Sequence, residues 1–125
     1  MNYTIKYVDN IKDGFGGKCY YPPFPKFGTC RIEIDKKYLK DDGLLNHEIK
    51  HAQQYKDNFF HSLRYRFSKE YRYSCELEAY SEQIKAYRYT RIEQASWIIL
   101  ALLDKYDLSY SVDKITEDIE KIIKG

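Results

Sequence analysis

The stretch His47-Glu48-Ile49-Lys50-His51 constrains the fold of this 125-residue chain more than any other. On a helix, histidines four residues apart lie on one face, a single turn from each other. That spacing lets both imidazoles bind one metal ion, while Glu48 lies beside them as a carboxylate that can accept a proton from water on that ion. The stretch therefore requires a helix around it and a third metal ligand elsewhere in the chain.

The residues around the stretch have the pattern of a helix. Asp41 or Asp42 can cap a helix that runs from about Gly43 to Tyr55. A stripe that faces the core is expected at Leu45, Ile49 and Ala52. The two histidines lie at the border of that stripe, where we expect the floor of a cleft.

The chain before this helix is predicted to be extended. Strands are expected at Tyr3–Val8 and, by alternation of polar and apolar residues, at Thr29–Asp35. Between them lie a glycine-rich turn at Asp13–Gly17 and an extended, proline-rich segment at Tyr21–Pro25. These segments predict a small antiparallel sheet with at least two strands.

The chain after this helix is predicted to be mainly helical. Four segments are expected: a short helix or ordered connection at Phe59–Phe67, a helix from Ser68 or Ser74 to Tyr89, a helix at Ile92–Tyr106 that is apolar enough for full burial, and an amphipathic helix at Val112–Ile123. Ser111 caps the last helix, whose inner side is predicted to include Val112. The fold class is α+β, a small sheet followed by a mainly helical core.

Charge and cysteine usage exclude several function classes. The formal net charge is only +2, so we expect neither nucleic acid nor membrane as a partner. The longest apolar run, Trp97–Leu103, is too short to span a bilayer. The three cysteines form no C-x-x-C pair and the N-terminus has no apolar signal region, which predicts reduced thiols and a cytoplasmic protein. A Cys19–Cys30 bridge across the proline-rich segment is the alternative.

Two glutamates on a later helix are candidates for the third metal ligand. A catalytic zinc site uses three protein ligands and keeps one position open for water. Glu76 and Glu78 follow His51 by 25 and 27 residues, enough for the chain to turn and pack a second helix on the first. Ala79 shares a face with Glu76 and is small enough to let the two helices approach closely. The residues alone leave both glutamates open.

His47-Glu48-Ile49-Lys50-His51 followed by Glu76-Leu77-Glu78-Ala79 resembles the H-E-x-x-H and E-x-x-A motifs of gluzincin zinc metallopeptidases. The similarity extends over residues 44–83 and is closest to compact intracellular and phage-type forms. It implies one zincin-like domain over residues 1–125, with Zn²⁺ held by His47, His51 and Glu76. It also implies that Glu48 assists attack of zinc-bound water on a peptide bond of a peptide or protein substrate.

The resemblance carries further expectations about the surroundings of the site. The family places an edge strand along the cleft, and Cys30–Asp35 is the expected strand. Related chains often have Asp or Asn four residues after the ligand glutamate, to support a histidine, but this chain has Tyr80. A tyrosine that stabilises the oxyanion is expected among Tyr71, Tyr73 and Tyr80.

Other interpretations of the same residues stay open. The chain is, alternatively, a catalytically silent zinc-binding regulator or interaction module of the same fold, or a metal-free partner-binding protein. His61 is expected at the surface or a helix end and not as a ligand. A strip of arginines and aromatic residues is expected to be a solvated helix face; its arginines are Arg64, Arg66 and Arg72.

Overall fold

A three-stranded sheet leads into five helices within the residues that the computed structural model describes, which are 3–11, 15–22 and 29–125. The strands are β1 (Tyr3–Val8), β2 (Gly17–Tyr20) and β3 (Cys30–Asp35). The helices are α1 (Asp42–Asp57), α2 (His61–Phe67), α3 (Lys69–Tyr87), α4 (Ser96–Asp104) and α5 (Val112–Lys124). The predicted α+β class is confirmed.

The sheet is mixed, so the prediction of an antiparallel sheet was wrong in this respect. β3 lies between its neighbours and pairs in parallel with β1 and antiparallel with β2. It is therefore a central strand and not the predicted edge strand. Alternation along a strand fixes which side chains share a face, but it does not fix the direction or order of neighbouring strands.

The buried face of β3 packs on α1. Ile32 and Ile34 are fully buried and belong to one apolar cluster with Ala52 and Tyr55. Because β2 pairs with β3, this packing also brings β2 beside α1. Helix α1 is thereby fixed against the sheet on the side of its apolar stripe.

Helix α1 begins where the sequence predicted and packs closely on α3. The Asp41 side chain caps it by accepting a hydrogen bond from the Leu44 amide at 2.9 Å. Gly43 allows the close approach, because a Cβ at this position would lie 2.4 Å from Cε1 of Tyr87. The Tyr87 hydroxyl in turn donates to the Asp41 carboxylate, so cap and helix contact stabilise each other.

The later helices confirm the predicted cap Ser111 and the helix start near Ser68, but not all predicted burial. Ser68 caps α3 and Ser111 caps α5, each accepting from the amide three residues on. The segment predicted as one helix from Ile92 is a 3-10 turn followed by α4, which ends at Asp104. Helix α4 packs by one face, so Trp97 and Leu100, which were predicted to be buried, are exposed. Val112, which was predicted on the inner side of α5, is exposed as well. An apolar composition does not determine how many neighbours a helix has.

Some predictions fall partly outside the described residues. The predicted turn at Asp13–Gly17 includes residues 13 and 14, and the proline-rich segment includes residues 23–25, all of which lie outside them. Cys19, Cys30 and Cys75 are thiols, so the alternative of a Cys19–Cys30 bridge is not realised in the structure. No helix in the described part of the chain is both long and apolar enough to cross a membrane.

Candidate metal centre

Helices α1 and α3 bring His47, His51 and Glu76 together in the interior. Nε2 of His47 lies 3.3 Å from Nε2 of His51, and each lies 3.3 Å from Oε1 of Glu76. All three side chains are buried, and Glu76 is only 1% exposed. These residues form a group of donor atoms that could hold a metal ion.

The spacing of these atoms can be compared with the geometry of a tetrahedral metal site. Bonds of about 2.0–2.1 Å to nitrogen and oxygen ligands place neighbouring ligand atoms about 3.3–3.4 Å apart in a regular tetrahedron. The three observed separations of 3.3 Å agree with that edge length. A tetrahedral ion held by these three groups would have its fourth position left for another ligand.

The structure separates the two glutamates that the sequence left as alternatives. Residues two apart on a helix point about 200° away from each other, so Glu76 and Glu78 cannot both face α1 in the same way. Glu78 accepts a hydrogen bond from Gln54 Nε2 at 2.9 Å and lines a different cavity, of about 750 Å³. Glu76 is therefore the glutamate that joins the histidines.

The charges of the group depend strongly on one another. Burial favours the neutral form of Glu76, but the imidazoles of His51 and His47 outweigh it and hold the pKa of the carboxyl well below its usual range. Burial also opposes protonation of His51, yet the carboxylate of Glu76 raises the pKa of that imidazole to about 9. Glu76 is thus a buried anion that requires positive charge beside it.

Gln54 holds His51 in place and was not identified from the sequence. Its Nε2 donates to the Cys75 carbonyl and to Glu78, each at 2.9 Å, so its Oε1 is left to accept from Nδ1–H of His51 at 2.9 Å. When the ring is neutral, as a metal ligand must be, this proton on Nδ1 leaves the lone pair on Nε2, the atom that faces the donor group. The available signal was position, since Gln54 lies one helical turn after His51.

His47 is supported in a different way. Its Nδ1 is buried and has no hydrogen-bond partner among the residues that the structure describes. The ring of Tyr80 packs edge-on against the imidazole, with 4.4 Å between ring centroids. Tyr80 thus supports His47 by a ring contact and not by a hydrogen bond.

Two side chains of α2 and α3 complete the wall around Glu76. The Tyr65 hydroxyl donates to Oε2 of Glu76. Arg72 is buried, so the prediction of a solvated face was wrong for this arginine. Its guanidinium donates to backbone carbonyls at 2.7–3.1 Å, those of Tyr65, Arg66, Tyr106 and Asp107. Arg72 thereby ties α2 and the segment after α4 to α3.

Glu48 lies in the same cavity as the cluster. This cavity measures about 600 Å³, and its lining includes both histidines, Glu48 and Glu76. Gly17 of β2 lies close to Glu48, since a Cβ added to Gly17 would be 3.2 Å from Glu48 Cγ. Burial raises the pKa of Glu48, although the imidazoles of His47 and His51 oppose the shift. A buried carboxyl with a raised pKa in a cavity is a candidate general base.

Of the other predicted candidates, Tyr71 and Tyr73 are hydrogen-bonded away from the cluster, whereas Tyr80 contacts His47. Tyr71 is hydrogen-bonded to His61 Nδ1 and Tyr73 donates to Asp118, both at 2.7 Å. His61 stands at the start of α2 as predicted, but it is fully buried and not at the surface. Tyr80 shares a 2.7 Å hydrogen bond with Tyr106, which lines the cavity and was not a predicted candidate.

Comparisons with known proteins returned no match to a family model, to a curated protein or to a solved structure.

The two glutamates make a matched test of the donor set. We expect Glu76→Ala protein to lose bound metal, because it removes one of three ligand groups, and Glu78→Ala protein to keep it. Elemental analysis of the two purified variants beside wild type measures this. Full metal content in Glu76→Ala together with loss in Glu78→Ala would reverse the assignment.

The support of His51 can be tested with adjacent glutamines. Gln54→Ala should weaken metal affinity by about 10–100-fold, because Nδ1 of His51 loses its acceptor. Gln53→Ala is the control, since Gln53 is exposed on the same helix and should leave affinity unchanged. Competition with a chelator of known affinity gives both values, and equal affinities in the two variants would exclude a role for Gln54.

Proposed function

We propose that the chain is a zinc-dependent metallopeptidase of the gluzincin type, with Zn²⁺ held by His47, His51 and Glu76. The observation that carries the proposal is the convergence of these donor atoms at 3.3 Å in the cavity that also contains Glu48. Two histidines and one glutamate are a ligand set used by zinc peptidases. The hydrogen bond from His51 to Gln54 supports the same proposal, because it orients a ligand towards the donor group.

Zinc and Glu48 have separate roles in the proposed hydrolysis of a peptide bond. Zinc, when bound, lowers the pKa of water to about 7 and polarises a peptide carbonyl. Glu48 takes a proton from the attacking water and returns it to the leaving amine, so the C–N bond breaks and a carboxylate and an amine are released. Burial supports this role of Glu48, because its raised pKa lets the carboxyl both accept and release a proton.

The edge strand β2 is the proposed site for the substrate backbone. Residues 17–21, which contain all of β2, line the cavity, and β2 lies outside β3 in the sheet order. An extended peptide can pair with such an edge as an additional strand, which places its carbonyl groups along the cleft. The sequence placed β3 along the cleft, but β3 is paired on both sides. In this proposal β2 therefore takes that place.

Tyr106 is the proposed donor to the oxyanion. Its side chain lines the cavity, and its hydroxyl is hydrogen-bonded to that of Tyr80. Burial, together with the nearby Glu76 carboxylate, raises the pKa of Tyr106 far above its usual value, so the phenol stays protonated and can donate. Tyr65 is less suited to this role, because its hydroxyl donates to the Glu76 carboxylate, and a hydrogen bond to a charged acceptor is stronger than one between two hydroxyls.

The role of Glu48 is tested by an isosteric change. Glu48→Gln should keep its zinc and lose peptide hydrolysis by about 10²–10⁴-fold, because the amide cannot accept the proton. Cleavage of a quenched-fluorescent peptide library by zinc-loaded protein measures the loss, and Glu70→Gln, an exposed change, is the control. Zinc retention with no cleavage by wild type would instead favour the silent zinc-binding module. Full activity of Glu48→Gln would overturn the mechanism.

The role of Tyr106 is tested by removing one oxygen atom. Tyr106→Phe should lower kcat by about 10²–10³-fold with little change in KM, because the hydroxyl acts on charge that develops during the reaction. Tyr73→Phe is the control, since the Tyr73 hydroxyl donates to Asp118. Steady-state kinetics at equal zinc content separates the two variants, and equal kcat values would remove Tyr106 from the mechanism.

A further inference from the structure

Four large apolar side chains are exposed within nine residues of each other, on α2 and just before it. Phe59, Phe60, Leu63 and Phe67 are 52%, 53%, 54% and 74% exposed. The opposite side of α2 is occupied, because His61 is fully buried and Tyr65 bonds to Glu76. The helix therefore has one side committed to the interior and one apolar side directed outward, and such exposed apolar groups commonly mark interaction sites.

The same segment concentrates positive charge. Its charged residues over 56–69 are Lys56, Asp57, Arg64, Arg66 and Lys69, a net of +3 in a chain whose total is +2. All five are exposed. The Arg66 guanidinium lies 5.3 Å from the centre of the Phe67 ring, so charge and apolar surface are presented together. We name the four apolar residues with Arg64 and Arg66 the α2 surface.

We propose that the α2 surface binds the surface of an anionic lipid bilayer. Interfacial helices insert Phe and Leu side chains at the acyl boundary and keep Arg and Lys at the level of the headgroups. The α2 surface presents both groups side by side, and its charge is complementary to anionic lipids. Phe67 is the most exposed of the four apolar residues, at 74%, and so offers the largest exposed fraction for insertion.

This proposal departs from the expectation of no membrane partner, which was drawn from the net charge of the whole chain. The total of +2 conceals a local excess, because the charge outside residues 56–69 sums to −1. Electrostatic attraction to a bilayer decays within a Debye length, about 8–10 Å. The charge of the approaching segment therefore matters more than the total.

Vesicle flotation of the full-length protein tests the proposal. Wild type should float with phosphatidylcholine vesicles that contain phosphatidylserine and much less with phosphatidylcholine alone. Arg64→Gln/Arg66→Gln should weaken binding to the anionic vesicles by roughly 25-fold, since each arginine near the surface contributes about fivefold. Leu63→Ser/Phe67→Ser should abolish it by removing the inserted groups.

Leu39→Ser is the matched control. Leu39 is 55% exposed, close to the value for Leu63. Leu39 lies before α1 in the chain, whereas the α2 surface lies after α1. Its substitution should leave flotation unchanged. The proposal fails if wild type does not float with anionic vesicles, or if Leu39→Ser reduces flotation as much as Leu63→Ser/Phe67→Ser. A wild type that does not float but self-associates, with self-association lost in the α2 variants, would instead make this surface an interface between two copies of the chain. None of these outcomes depends on peptidase activity.

Discussion

The structure depends on burying the Glu76 carboxylate between two imidazoles. An ionised carboxylate in a protein interior is costly unless positive charge and hydrogen bonds compensate it. His47, His51 and Tyr65 supply that compensation, and each lies on or beside the interface between α1 and α3. A metal ion between the imidazoles and the carboxylate would satisfy the same requirement more completely. The close packing of α1 on α3, which Gly43 permits, is what makes the three donor atoms meet.

Around this group, two buried side chains connect the helices through hydrogen bonds to backbone carbonyls. Gln54 joins His51 to the Cys75 carbonyl next to Glu76, so the two ligand helices are connected directly through one amide. Arg72 uses its guanidinium for four carbonyls of two separate segments. The hydrogen bonds of this buried guanidinium hold the backbones of Tyr65 and Tyr106 beside the cavity. The short segments after α1 and α4 are positioned by side chains of α3, which therefore organises the whole site.

Helix α2 belongs to both proposals. Its inner side carries His61 and Tyr65, and its outer side carries Leu63 and Phe67. The inner contacts explain why a seven-residue helix holds its position, since so short a helix has little stability of its own. Because these contacts already fix α2, its apolar outer side needs no further ordering to bind a surface. The two proposals nevertheless rest on different observations, and either can fail without the other.

The sequence by itself predicted the local features of this protein. The caps Asp41 and Ser111, the facing of His47 and His51 and the α+β class follow from residues within a few positions of one another. Helical periodicity and capping are short-range, so they can be recognised without knowing what packs against the helix.

The tertiary structure decided what depends on distant segments. It set the order of the strands, selected Glu76 over Glu78, placed Gln54 behind His51 and turned Tyr106 to the cavity. It also buried Arg72, which the sequence pattern assigned to a solvated face. Several of the deciding contacts join residues that are distant in the sequence, as between Gln54 and Cys75 or between Arg72 and Tyr106. Local spacing carries no information on such contacts, because they are fixed by how the helices pack and where their connections return.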